Sequence, residues 1–314
     1  MTPTTDILEH PMRIEKDIAG EIAVRVSRAT VVRRDEPLAK HTTLRVGGPA
    51  DFYVEPADEN DLAAVVKFCG ERDLPFFVIG RGSNLLVRDG GFRGVVICLR
   101  HFSRIEVAGE RLHCGAGAKL KDVSIAAKRN NLSGVEFLEG IPGSVGGALR
   151  MNAGAMGGQT FDAIVSVRVM DFDGNISELP PEKMSVTYRN CTTLKNQIVL
   201  GAVFKCKTSP CAEIEKQMKS FSEKRWKSQP ATPSAGCIFK NPEKIPAGRL
   251  VDELGLKGAR VGGAVVSAEH GNFIVNDGKA TTRDVLELIE ILKAKARAER
   301  GIELHTEVEI IGED

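Results

Sequence analysis

Aromatic side chains are scarce in this chain, with one Trp, two Tyr and 5% aromatics in all. That leaves too few rings for the stacked platform on which single-stranded nucleic acid binds. An excess of either charge is missing as well. A formal net charge of +1 argues against an electrostatic surface for nucleic acid or an acidic membrane. No apolar run nears the ~20 residues that a membrane-spanning helix needs. The first residues lack the basic start and apolar core of a secretory signal. CxxC pairs are absent too: the seven cysteines stand singly at 69, 98, 114, 191, 206, 211 and 237. They give no disulfide or zinc framework and fit a reducing cytoplasm. The six histidines show no metal-ligand spacing, so no metal is expected. No Gly-Lys-Ser/Thr run marks a Walker A loop.

Glycine, in contrast, is plentiful and concentrated: eight of the 25 residues from Gly134 to Gly158 are glycine. Such a run is entropically costly, and is kept where backbone must approach something closely or adopt positive φ. Bare N–H groups lining a turn form an anion-binding concavity, commonly for a phosphorylated cofactor; the alternative is a loop of packing glycines. A second glycine-rich loop, Gly80-Arg-Gly-Ser-Asn84, follows a short apolar strand at 76–79. It fails the GxGxxG spacing of a dinucleotide turn, because residue 85 is Leu, and it leads into a strand rather than a helix. Two loops of this kind suggest a cofactor cradled by backbone and by the hydroxyls of Ser83 and Ser144.

The remaining pattern is mixed α and β. Residues 51–55, 76–79, 94–99, 111–114 and 197–206 read as strands, and 164–171 with 176–179 as a hairpin around Asp173-Gly174. Leu62, Val65, Val66 and Cys69 share one helix face, and residues 120–130 form another helical stretch. A charged helix from Cys211 to about Lys227 marks the start of a second domain. Thr281 and Asp284 make a capping box, followed by the apolar stripe Val285, Leu288, Ile289, Leu292 and Ala296, and Gly301 ends that helix. Residues 306–311 close the chain as a strand.

Eight motifs then occur in a fixed order: His41-Thr-Thr-Leu-Arg-Val-Gly-Gly-Pro-Ala-Asp51, the loop 80–87, Ile141-Pro-Gly-Ser-Val-Gly-Gly147, Asn152-Ala-Gly154, Tyr188-Arg189, Ser234-Ala-Gly-Cys-Ile-Phe-Lys-Asn-Pro242, Ala247-Gly-Arg-Leu-Val-Asp-Glu253 and Glu307-Val-Glu-Ile-Ile-Gly312. Together they resemble the UDP-N-acetylenolpyruvoylglucosamine reductases of bacterial peptidoglycan synthesis, from about His41 to Gly312. No long insertion separates Tyr188-Arg189 from the Ser-Ala-Gly-Cys motif, as in the shorter, type II form. The resemblance implies an α+β fold: an FAD-binding module of the vanillyl-alcohol-oxidase (PCMH) type in two α/β subdomains, plus a smaller α/β substrate domain. The expected division is a leader at 1–40, a first FAD subdomain at 41–104 joined by a closing strand at 305–314, a second at 105–210, and a substrate domain at 211–304.

The same resemblance implies the cofactors FAD and NADPH, and the substrate UDP-N-acetylglucosamine enolpyruvate. NADPH reduces the flavin and leaves; hydride then passes to C3 of the enolpyruvyl group, and C2 is protonated. It assigns FAD contacts to Gly80, Arg81, Gly82, Ser83, Asn84, Leu85, Gly117, Pro142, Gly143, Ser144, Gly147, Asn152 and Gly154. Substrate contacts fall to Tyr188, Arg225 and Asn241. Arg189 and Glu307 would stabilise the developing enolate, and Cys237 stands where many relatives carry a proton-donating serine. A thiol there would keep a proton available at neutral pH, at the risk of oxidation. Met156 replaces an aromatic residue of several relatives. His41 opens a matched motif; His305 receives no role.

Taken singly, these residues read more plainly. Arg189 would be a surface arginine and Cys237 a small buried hydrophobe. Glu307 would face solvent from a half-buried strand, since Val308 and Ile310 share its other face. Two competing functions follow from the same sequence: another flavin oxidase of this fold, or a non-catalytic nucleotide-sugar binder. The oligomeric state is not legible.

Overall fold

The computed structural model describes residues 17–314; the first part of the expected leader lies outside the described residues. The remainder of that leader is built into the fold. Val31–Pro37 is an edge strand, antiparallel to Pro49–Glu55 in a four-stranded sheet completed by Phe92–Cys98 and Phe76–Ile79 in parallel. The sequence hides this strand because its middle, Arg33-Arg34-Asp35, is exposed and charged, as suits an edge. Helix Glu59–Glu71 buries Leu62, Val65, Val66 and Cys69 against the sheet, with Asp58 capping its first turn.

A five-stranded antiparallel sheet follows, in the order Ile176–Leu179, Ile164–Met170, Ile198–Lys205, Arg111–Gly115, Ile105–Ala108. The two sheets share one hydrophobic core, in which Val54, Val95 and Ile97 meet Leu112, Val167 and Phe204. The Asp173-Gly174 hairpin is wider than a two-residue turn: Met170 pairs with Ile176, and the Asp171 carboxylate accepts from the amides of Asp173 and Asn175.

A second core lies in the C-terminal part. A sheet of Ser234–Cys237, Phe273–Asn276, Ala264–Val266 and Arg260–Val261 packs with helix Thr282–Arg300. The Thr281–Asp284 capping box and the left-handed Gly301 bound that helix as the sequence foretells. Helix Cys211–Ser228, expected to open this part, belongs elsewhere. It packs against the turn Glu136–Gly140 and helix Leu120–Arg129, with Phe221 against the first core. The second core takes up the chain again only at Ala235, and it also includes Leu44, Val46 and Leu86. Strand Leu85–Val87 pairs in parallel with the closing strand, which runs over Glu309–Ile311 and so is shorter than expected. Among the described residues no helix is long and apolar enough to cross a membrane.

Candidate active site

Between the sheets and the C-terminal part lies a cleft of two adjoining chambers, about 870 Å³ and 260 Å³. Gly80, Arg81, Pro142, Ser144, Gly147 and Arg225 border both. Gly82, Ser83, Asn84, Leu85, Gly143 and Gly154 line the smaller one, and Gly117 the larger. The glycine-rich loops thus converge on one space. A Cβ on Gly80 would stand 2.3 Å from Ser144 Oγ, so glycine is what lets the two loops touch. At Gly147 the nearest such contact is 3.8 Å, with Ser144 Oγ, so a side chain there would enter the cleft. Gly82 differs. It has φ +58° and would press a Cβ to 2.2 Å from the His41 carbonyl, so this glycine serves the fold as much as any ligand.

Whether FAD suits this cradle can be judged from Ser144. The residue is 2% exposed, yet its hydroxyl has no hydrogen-bond partner among the described residues. A buried hydroxyl without a partner is a costly exception unless something else satisfies it. A phosphate oxygen in the cleft would do so, and the residues present therefore fit the cofactor.

Three reactive side chains meet in the smaller chamber: Arg189, Cys237 and Glu307. Arg189 is a central residue of the tight turn joining Val186–Thr187 to Asn190–Cys191, held at φ +55°. A positive φ of this kind is what a two-residue hairpin turn calls for. Its Nε lies 3.1 Å from Glu307 Oε1, and the two side chains are 21% and 14% exposed; its Nη2 donates to the Gly154 carbonyl. Cys237 ends Ser234–Cys237, where the pairing with Phe273–Asn276 slips: Ser234 faces Val275 but Cys237 faces Phe273. Such a bulge re-aims a side chain, and here the thiol borders the chamber.

Glu307 is pinned on both sides of its backbone. Its amide donates to the Ile238 carbonyl at 2.7 Å, and its carbonyl accepts from the Asn84 amide at 3.1 Å. Because it precedes the closing strand, it escapes the alternation that would have turned it to solvent. Burial pushes its carboxyl above the usual range, against the pull of Arg189. Burial, with the Glu307 charge, pushes the Cys237 thiol up to about 12. It therefore holds its proton at neutral pH and offers little of the thiolate on which oxidation depends, which answers the expected oxidation risk.

Three assigned residues are not brought into the cleft. Asn152 ties its own loop together, donating to Gln159 Oε1 and to the Thr187 carbonyl. Asn241 accepts from the Ala247 amide at the start of helix Ala247–Glu253. Tyr188 is exposed and lays its ring 5.0 Å from the Arg189 guanidinium, a supporting contact.

Other cleft residues carry no assignment from sequence. Arg150 and Glu309 both border the smaller chamber and pair at 2.8 Å. On the wall of the larger chamber, His41 joins Glu36 at 2.9 Å and the Tyr53 hydroxyl at 3.1 Å, and Tyr53 donates onward to the buried Glu55. Arg225 does carry a signal in the sequence. Ile214, Met218 and Phe221 form the inward stripe of their helix, and Arg225 is the next position on it.

Known proteins match this chain along nearly its whole length. Residues 50–180 match the family described as FAD binding domain, and residues 229–311 that described as UDP-N-acetylenolpyruvoylglucosamine reductase, C-terminal domain. A UDP-N-acetylenolpyruvoylglucosamine reductase of Syntrophomonas wolfei is 42% identical over 90% of this chain and 96% of its own length. One from Clostridium botulinum is 44% identical over 89% and 92%. The crystal structure of the Thermus caldophilus reductase (MurB) superposes with a TM-score of 0.78 at 40% identity, over 90% of this chain and 98% of that one. A glucose dehydrogenase, Phl p 4.0202, is similar in fold alone, with a TM-score of 0.50 at 15% identity over 62% of this chain. The fold is accordingly α+β, with an FAD-binding module of the PCMH type. At more than 40% identity to these reductases over about nine-tenths of its length, the chain belongs to the UDP-N-acetylenolpyruvoylglucosamine reductase family.

Proposed function

We propose that this protein reduces UDP-N-acetylglucosamine enolpyruvate to UDP-N-acetylmuramate at the expense of NADPH, with its chemistry in the smaller chamber. The convergence of Arg189, Glu307 and Cys237 beside the glycine-lined cradle carries this reading. Bound FAD would supply the redox chemistry, relaying a hydride from NADPH to C3 of the enolpyruvyl group. Gly80, Ser83, Pro142, Ser144 and Gly147 would hold it.

The protein's own work is to bind the substrate carboxylate and to manage charge. Hydride addition at C3 turns the C2–carboxylate unit into an enediolate, with charge building on the carboxylate oxygens. Arg189 offers a planar, permanently charged fork to those oxygens. Glu307, whose carboxyl keeps its proton more readily than an exposed glutamate, can donate a hydrogen bond to them. Preorganised donors of this kind act without reorganisation as charge develops. The Cys237 thiol then delivers its proton to C2, a C–H bond forms, and the thiolate left behind recovers a proton from water. Arg189, which favours that thiolate, steadies it meanwhile.

An anaerobic spectral titration tests the reading. NADPH should bleach the flavin band, and UDP-N-acetylglucosamine enolpyruvate should restore it without oxygen. A flavin that is bleached but recovers only in air would speak for an oxidase, and a colourless protein for a mere binder.

A further inference from the structure

The last full turn of helix Cys211–Ser228 carries two neighbours that face different ways. Arg225 continues the inward stripe and runs past Gly140, where an added Cβ would come within 3.7 Å of its Cδ. It borders both chambers. Burial weakens its hold on its proton, and Glu139 offsets this only from a distance, without a hydrogen bond. The guanidinium stays charged all the same, and a half-buried cation that borders both chambers offers itself to an anion. Trp226 is one position on, about 100° around the helix, and so leaves the stripe. It is 64% exposed, it is the only tryptophan of the chain, and it lines the larger chamber. An indole in that position has an apolar face ready for a flat partner and contributes little to its own core.

We propose that Trp226 stacks on the base of the sugar nucleotide, beside the Arg225 that the family resemblance already assigns to the substrate. This rests on the function proposed above. The enolpyruvyl carboxylate is anchored at Arg189 and Glu307 in the smaller chamber. A molecule running from there into the larger one passes Arg225, which borders both, and reaches Trp226 on the larger chamber's wall. The order of the protein groups, acid-binding pair, cation, aromatic face, is the order of carboxylate, diphosphate and base in the substrate.

Calorimetry of UDP binding to the flavin-loaded protein tests this, using the parent, Trp226→Ala and Trp226→Phe. Base–aromatic stacking predicts a loss of about 5- to 150-fold in UDP affinity for the alanine variant, and recovery of most of it with phenylalanine. Because the side chain is exposed, melting temperatures should stay within about 1–2 °C of the parent. Unchanged UDP affinity in Trp226→Ala overturns the proposal and leaves the proposed function standing. An affinity lost equally in both variants overturns it too, because stacking would tolerate phenylalanine. If NADP⁺ binding falls while UDP binding does not, the base belongs to the reductant and the proposal is wrong. If the parent binds no UDP at all, the sugar-nucleotide reading itself fails.

Discussion

The side-chain amide of Asn84 donates to the main-chain carbonyl of Glu307 at 3.1 Å, joining positions 223 residues apart. Asn84 ends the glycine-rich loop after Phe76–Ile79, and Glu307 opens the closing segment. The same glutamate donates its amide to Ile238, next to Cys237. Three distant stretches of chain therefore fix the acid, and the loop that borders the cofactor cradle helps set its position.

Asn84→Ala should show this as a positioning effect. Losing one hydrogen bond of this kind costs about 0.5–1.5 kcal/mol of stability. Displacing a catalytic group by about 1 Å costs up to ~10²-fold in rate. Stopped-flow measurements should find flavin reoxidation by the enolpyruvyl substrate slowed, with reduction by NADPH and the flavin spectrum close to the parent. Slowing of both half-reactions together would mean that Asn84 acts on the cofactor and not on Glu307.

The two loop glycines should respond differently to the same substitution. Gly147→Val places its side chain in the cleft without a backbone clash, so it should give folded, colourless protein with a normal circular dichroism spectrum. Gly82→Val meets the His41 carbonyl and a positive φ, and should lose stability and soluble yield as well as flavin. Stoichiometric FAD in purified Gly147→Val would remove this residue from the cradle.

Much of this site was legible in the sequence, for physical reasons that also mark its limits. Local signals held where chemistry is local: the Thr281–Asp284 capping box, the stripe from Val285 to Ala296, and the glycine loops. The edge strand Val31–Pro37 was missed because an exposed edge carries charge instead of alternation. The Cys211 helix was assigned to the wrong neighbours because its sequence gives its inward face but not what covers it. Asn152 and Asn241 bond to neighbouring parts of the chain, a local role that a motif match does not reveal. Glu307 read as solvent-facing only because the strand was drawn three residues too long. Gly82 shows the same limit: its φ and the His41 carbonyl are invisible before the chain is folded.

Burial makes Glu307 a pH-dependent liability to the fold. Its carboxyl is raised by burial, against Arg189, so the folded chain binds that proton more tightly than the unfolded one. Stability from this group is full below the ordinary carboxyl range and is lost as pH rises towards the raised value. Glu307→Gln removes the dependence. Compared with the parent, the variant's melting temperature should improve as the pH rises above the ordinary carboxyl range of about 4. A constant difference above that range would show that the carboxyl is not raised.

The same substitution should reach Cys237. Glu307 is among the groups that hold the thiol up, and Arg189 draws it down. With the carboxylate gone and the guanidinium kept, the thiolate fraction rises, so iodoacetamide should label Cys237 faster at pH 8 than in the parent. Peptide mapping separates it from the exposed Cys211. An unchanged rate at Cys237 would disconnect the two side chains.

Cys237 itself separates proton delivery from packing. As the donor to C2 it needs only one X–H bond above the carbon, and a serine at the same bulged position provides that, so Cys237→Ser should retain appreciable turnover. Cys237→Ala removes the donor, and loss of a general acid typically costs ~10²- to 10⁴-fold. That loss should fall on flavin reoxidation alone, since oxidation of NADPH delivers no proton to the substrate. In heavy water with unlabelled NADPH, deuterium should enter the product at C2. A thiol that merely fills space predicts the reverse order. Alanine would then leave a small cavity and cost stability with little effect on rate, and serine, with a hydroxyl in a buried place, would be the worse replacement. Single-turnover reoxidation of the two variants decides between them. If the alanine variant reoxidises as fast as the parent, the proton comes from elsewhere.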